Sequence, residues 1–204
     1  MTAILKVDTI QDTSGNNIIN ENANTVTIGK SGDTVNVVGT LQNNGSAVGG
    51  ITEADMWRLT TNITADENPI SNNLERVDDA SFAKIGTGMS VSSGVWTFPS
   101  TGLYQVGFTA AITCTTGDTV AFSLDVSQDN GSSFDNVVYG TKGGSGVTGD
   151  DGSNINLSSL VNVTDTSNVK VKFIAASISS GSRVTGNTDA NMTSFYFIRL
   201  GDSQ

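Results

Sequence analysis

Residues Gly94 to Ala111 read GVWTFPSTGLYQVGFTAA, and this stretch decides the fold class. A short apolar run, Val95 to Phe98, leads into a Pro-Ser-Thr-Gly turn and a longer run from Leu103 to Ala111. In the longer run Leu103, Gln105, Gly107 and Thr109 alternate with Tyr104, Val106, Phe108 and Ala110. A period of two with aromatics on one side marks a strand half-buried against a core. Pro99 falls where no ladder N–H is needed, and Gly102 can take the positive φ that closes the turn. Trp96, Phe98, Tyr104 and Phe108 all lie here, so an all-β core is expected to form around them.

The same signature recurs on both sides. From residue 60 onward, β runs are expected at Arg76-Val77, Phe82 to Ile85, Met89 to Val91, Val120 to Val126, Asn136 to Tyr139, Ile155 to Val163, Val169 to Ile174 and Thr193 to Leu200. Together with the two runs above they fit a two-sheet jelly roll of about eight to ten strands, assigned here to residues 63–204. Asp129-Asn130-Gly131-Ser132 is a hairpin signal. Residues Lys142 to Asn154, KGGSGVTGDDGSN, are expected to form the longest exposed loop. The last run, Ser194-Phe195-Tyr196-Phe197-Ile198-Arg199-Leu200, is apolar on both faces and predicts a central strand.

Residues 1–50 differ. They hold no aromatic residue, and their apolar residues come in pairs: Ile4 and Leu5, Ile18 and Ile19, Val26 and Ile28, Val35 and Val37. Thr25-Val26-Thr27-Ile28-Gly29 is echoed by Thr34-Val35-Asn36-Val37-Val38-Gly39, a two-copy repeat. Ordering one residue costs about 1–2 kcal/mol of backbone entropy, and burying one Val or Ile returns about 1.5–3 kcal/mol. With few apolar residues the segment is not expected to fold as a monomer. A floppy tail and a β fibre of several chains both satisfy that balance. The β alternation, with little Lys, Glu or Pro, favours the fibre. A flexible joint at Asn43 to Gly50 precedes a helix signal over 51–62, read as a short collar. Thr52 caps it, Asp55 completes the capping box, and Ile51 staples onto Met56.

Asp and Glu outnumber Lys and Arg by 20 to 10. Such a surface repels phosphate backbones and anionic lipid, so neither nucleic acid nor membrane is expected as a partner. Cys114 is the single cysteine, which precludes an intrachain disulfide and is read as a small buried side chain. There is no histidine, which removes Ser-His-Asp and Cys-His machinery and most zinc sites. No apolar run is long enough for a signal peptide or a bilayer span, so synthesis in a cytoplasm without export by that route is expected.

Two carboxylate pairs bear on catalysis. Asp78-Asp79 and Asp150-Asp151 are sequence neighbours, and neighbours on a strand face opposite ways, so neither makes a glycosidase pair. Both are read as solvated turn formers, and no catalytic residue is assigned. Asp150 and Asp151 are weak calcium candidates without the spacing of a dedicated loop, and Asp189 beside Asn187 and Asn191 is a second. No cofactor is expected beyond that calcium. The Gly-rich loop lacks the Gly-Lys-Ser of a phosphate cradle.

Phe98-Pro99-Ser100-Thr101-Gly102-Leu103-Tyr104 before a long strand, with an aromatic terminal strand, resembles the globular-head family of complement and tumour-necrosis-factor-like proteins. The family's Phe-x-x-x-Gly-x-Tyr core lands on Phe98, Gly102 and Tyr104, and its terminal strand on Phe195 to Leu200, without the glycine usual there. The resemblance implies a jelly roll that assembles as a tight trimer, usually on a stalk. A second resemblance spans nearly the whole chain. ILKVDTIQDTSGNNIINENANTVTIG, ITEADMWRLTT, IGTGMSVSSGVWTFPSTGLYQVGF and DANMTSFYFIRLGD are similar to structural proteins of tailed phages of marine bacteria. It implies a virion fibre or knob whose N-terminal module docks on the particle, capsid or tail.

The expectation is therefore a trimeric fibre: a β stalk over 1–50, the collar, and an outward head that attaches to host-surface glycan or protein. Particle anchoring falls to Ile4, Leu5, Val7, Ile10, Ile18 and Ile19, and core or trimer packing to Trp57, Trp96, Phe98, Tyr104, Phe108, Phe195 and Phe197. Asp150, Asp151 and Asn154 form the candidate ligand-facing loop, favoured over Trp57 and Tyr139 because the aromatics are needed inside. A capsid decoration protein without receptor binding is the alternative, and a polysaccharide depolymerase is a third class.

Overall fold

The alternation over 103–111 extends in both directions. The long strand runs Gly102–Cys114, with Tyr104, Val106, Phe108, Ala110, Ile112 and Cys114 all buried. The structure is a computed structural model and describes residues 9–11, 13–14, 17–22, 25–29, 31–39, 41–43, 46–47, 50–144, 151–179 and 181–204. It divides into two units, Met1–Gly49 and Gly50–Gln204.

In the first unit, β1 (Thr9–Gln11), β2 (Asn17–Asn22) and β3 (Thr25–Ile28) form an antiparallel meander. The two-residue strands β4 (Gln42–Asn43) and β5 (Ser46–Ala47) pair with each other. Only the first copy of the sequence repeat is a strand; residues 34–39 are not, and among the described residues they pair with no strand. Ile10, Val26, Ile28, Val35, Val37, Val38 and Leu41 are exposed. Of the anchoring residues, Ile10 lies on β1 and Ile18 and Ile19 on β2, while Ile4, Leu5 and Val7 fall outside the described residues.

The second unit is a sandwich of two antiparallel sheets, with no helix among its described residues. Its strands are β6 (Ala54–Leu59), β7 (Leu74–Arg76), β8 (Ser90–Ser92), β9 (Val95–Thr97), β10 (Gly102–Cys114), β11 (Thr119–Ser127), β12 (Asp135–Gly143), β13 (Asp151–Val163), β14 (Lys170–Ala176), β15 (Arg183–Val184) and β16 (Ser194–Gly201). The first sheet has the order β13-β10-β16-β6-β7, with β15 also on β10, and the second β12-β11-β14-β9-β8. The inner faces meet in an aromatic layer, with Phe108 4.5 Å from Phe122, Phe173 4.5 Å from Phe195, and Trp96 5.0 Å from Phe197 between ring centroids. Tilted and edge-on pairs at such separations add specificity to the apolar burial. Phe98 packs 4.8 Å from Tyr104, whose hydroxyl donates to the Ser100 carbonyl across the Pro-Ser-Thr-Gly turn.

The terminal strand β16 is central, flanked by β10 and β6. Phe195 and Phe197 are buried, Tyr196 and Ile198 are partly covered, and Leu200 is exposed. The hairpin signal is the β11–β12 turn, where Asn130 and Gly131 take positive φ of 58° and 82°.

Three expectations need correction. The helical collar over 51–62 is absent, because residues 54–59 fill the ladder slot between β16 and β7, pairing Trp57 with Phe195 and Arg76. An open ladder on a formed sheet outweighs a local capping pattern. Residues Phe82 to Ile85 form no strand, and only Ile85 bridges, to Ala54. The loop expected over 142–154 is shorter, since Lys142 belongs to β12, and Asp151 and Asn154 belong to β13 opposite Cys114 and Ala111.

Candidate interaction face

The outer face of the first sheet is built by the residues that alternate with its core. Register places Leu160, Gln105, Ile198 and Ala54 in one row across β13, β10, β16 and β6. Ser158, Gly107, Tyr196 and Met56 form the next row, and Asn156, Thr109, Ser194 and Arg58 the third. In a chain of formal charge −10 these four strands contribute one ionised side chain to the rows, Arg58, and the third row continues onto its register partner Glu75 of β7. Leu160 is 60% exposed and Leu200 52%. A neutral, partly apolar sheet face on an otherwise acidic molecule is a surface suited to contact rather than to water.

Two buried charges hold the strands that carry this face. Asp55 points inward from β6 and is 4% exposed. Its carboxylate accepts from the Trp57 indole N–H (2.9 Å), Arg76 Nε (2.9 Å) and the Met89 backbone N–H (2.8 Å), tying β6 to β7 and to the approach to β8. The Arg76 guanidinium also lies 4.6 Å over the Trp57 ring. Arg58, 1% exposed, points the other way and donates to Glu75 (2.6 Å), Asp79 (2.8 Å) and Asp78 (2.5 Å). The Glu75 hydrogen bond, aided by the Asp79 and Asp78 charges, holds its pKa above the ordinary arginine value. Asp78 and Asp79 are therefore ion-pair partners, not merely solvated turn residues, because the crossing of β6 and β7 delivers a buried cation to them.

Beside the face, the edges β12 and β13 enclose a cleft of about 160 Å³ lined by Val126, Gln128, Asp135, Val137, Leu160, Val161 and Asn162. Val137 and Tyr139 on β12 are exposed, Tyr139 by 61%. The expectation that Tyr139 is needed inside is thus corrected: β12 is an edge strand, and Tyr139 sits opposite Ser123 on its outward side.

The structure brings Trp96, Phe98, Tyr104, Phe108, Phe195 and Phe197 together in the interior of one chain, with Trp57 packed against them. Burial raises the Tyr104 pKa above its ordinary value. Among the candidate ligand residues, Asp150 lies outside the described residues, Asp151 begins β13, and Asn154 is exposed on it. Asn187 Oδ1 accepts the backbone N–H of Asp189 and Ala190, a local turn. Among the described residues no group of three or more acidic or cysteine side chains is placed to hold a metal ion. No sequence signal marks the neutral face, because its rows join as neighbours residues at least 47 positions apart.

No family model matches the chain, and no curated protein matches it. Among solved structures it is similar to Eiger TNF from S. frugiperda, at 10% identity over 76% of this chain and 96% of that one, with a TM-score of 0.56. It is also similar to murine APRIL at pH 5.0, at 7% identity over 72% of this chain and 98% of that one, with a TM-score of 0.51. The second unit has the fold of a tumour-necrosis-factor-like jelly roll. In the order of this TNF-like fold the first sheet presents the neutral face, and the second sheet turns Lys170, Lys172 and Asp125 outward.

Proposed function

We propose that the chain is a virion structural protein that works as a homotrimer, by binding and not by catalysis. Residues 1–50 dock on a phage particle, and the TNF-like head faces outward for attachment to the host surface. The observation that carries the assembly is the neutral face of β10, β16 and β6 on a chain of formal charge −10. A closed ring needs two different patches that meet each other. The face with Tyr196, Ile198 and Leu160 supplies one, and the β12 edge with Val137 and Tyr139 supplies the other. The exposed apolar residues of the first unit, Val26, Ile28 and Val38 among them, call for neighbours in the same way. The virion role rests on the resemblance of both ends of the chain to structural proteins of marine phages.

Deleting the head from the particle-borne protein tests the role. Loss of adsorption with particle stability unchanged is the expected result. Fragile capsids with normal adsorption would make it a decoration protein instead. Release of sugars from host envelope by the purified chain would overturn the non-enzymatic reading.

A further inference from the structure

On the outer side of the second sheet, Lys172 of β14 stands beside Asp125 of β11 in the same ladder register. Its Nζ donates to Oδ1 of Asn68 at 2.9 Å, lies 3.8 Å from Asp125 Oδ2, and sits 4.5 Å over the Phe134 ring. The side chains of Lys172 and Asp125 are 15% and 11% exposed, so this amine and this carboxylate are largely screened from water. Asp125 Oδ1 is occupied, accepting from Asn136 Nδ2 at 2.8 Å, which leaves Oδ2 turned to the amine.

Asn68 is held in place by its own backbone. Glu67 exchanges both main-chain hydrogen bonds with Ala175 (2.9 and 3.0 Å), and the Ile70 N–H donates to the Phe173 carbonyl at 2.9 Å. The segment 67–70 thus lies zipped along β14, and the carboxamide meets the lysine without a search. A primary amine that reaches both a carboxamide and a carboxylate supplies the parts of an intramolecular acyl transfer. Fixing reacting groups within about 3–3.5 Å replaces a bimolecular encounter with a unimolecular step.

We propose that Lys172 and Asn68 join in a self-catalysed isopeptide bond, with Asp125 as the base. The Lys172 ammonium gives a proton to Asp125 Oδ2, and the freed Nζ lone pair attacks Asn68 Cγ. The tetrahedral adduct collapses as the Cγ–Nδ2 bond breaks, Asp125 relaying a proton to the departing nitrogen. The balance is one ammonium and one carboxamide giving one secondary amide and one ammonium ion, with no oxidant, reductant or cofactor. The exposed side of Asn68 gives ammonia its exit. The product ties the segment before β7 to an interior strand of the second sheet, closing a loop between positions 104 residues apart. Such a bond suits a particle protein that must resist unfolding without disulfides, and it stands whether or not the head is trimeric.

Intact-mass measurement of the purified full chain decides it. The expected result is a mass lower than the sequence mass by one ammonia, with Asn68 and Lys172 recovered after digestion in one branched peptide. Lys172→Arg keeps the cation but removes the nucleophile and is expected at its own full sequence mass. Asp125→Asn keeps the shape and is expected to leave most of the chain unlinked. A folded natural chain at full sequence mass overturns the proposal, and so does ammonia lost only at Asn44 or Asn130, each of which precedes a glycine. Branched peptide persisting undiminished in a folded Asp125→Asn chain overturns the role of the base.

Discussion

Tyr196 lies across Gly107: the two are register partners on β16 and β10, and a side-chain carbon added to Gly107 would collide with the tyrosine hydroxyl end and with Ser158 Cβ. The glycine is what lets an aromatic ring lie flat on the neutral face. Gly107→Ala is expected to tilt Tyr196 outward and cost about 1–3 kcal/mol as overpacking. Urea denaturation against the natural chain measures the loss. A variant of unchanged midpoint would show that the ring shifts aside freely.

Asp55 is the fastening of β6. Asp55→Asn replaces an oxygen that accepts from three donors with a donor, and it leaves Arg76 half-paired. Breaking a buried pair from one side costs about 3–5 kcal/mol, and the 33% exposure of the Arg76 side chain puts this case at the lower end. By contrast Asp202 pairs with Arg199 while its side chain is 81% exposed, and Asp202→Asn is expected to change stability by less than about 0.5 kcal/mol. Thermal melts of the two variants side by side check the contrast.

Asp129 gives the acid limb of stability a specific source. Hydrogen bonds from the Ser133 side chain, then the Ser133 backbone, then Ser127, lower its pKa from 3.8 to about 2. A folded pKa below the unfolded one means that the contribution is present above the unfolded value and is lost as pH falls through the folded value. The window therefore runs from about pH 4 down to about pH 2. Asp129→Asn is expected to flatten the stability profile inside that window and leave the profile above it parallel to that of the natural chain. Equilibrium unfolding at stepped pH reads this directly.

What the sequence disclosed and what it hid follow one physical division. Strands whose core face is apolar, such as β10 with Tyr104, Val106 and Phe108, were legible, and the jelly roll with them. β6 was hidden because its alternation is carried by charges: Asp55 sits on the core face and buried Arg58 on the outer one, each satisfied by partners from β7 and beyond. Lys170 is disguised similarly, 9% exposed with Nζ donating to Thr97 and to the Thr166 carbonyl. A charged residue whose partner is twenty or seventy positions away looks like a surface residue until the fold brings the partner to it. The neutral face was unreadable for the same reason, being a property of register across four strands.

Ile198 and Leu160 lie in one row of that face. Ile198→Glu places a carboxylate where assembly would bury it, and losing both its apolar area and its neutrality is expected to weaken association at least tenfold. Dilution-dependent light scattering of the variant against the natural chain measures the shift. Unchanged association would move the contact off this face.

The most direct test is the mass of the natural full chain in solution by sedimentation equilibrium at micromolar concentration. The account predicts a single species of three times 21.1 kDa. A folded chain sedimenting at 21.1 kDa across that range would contradict it.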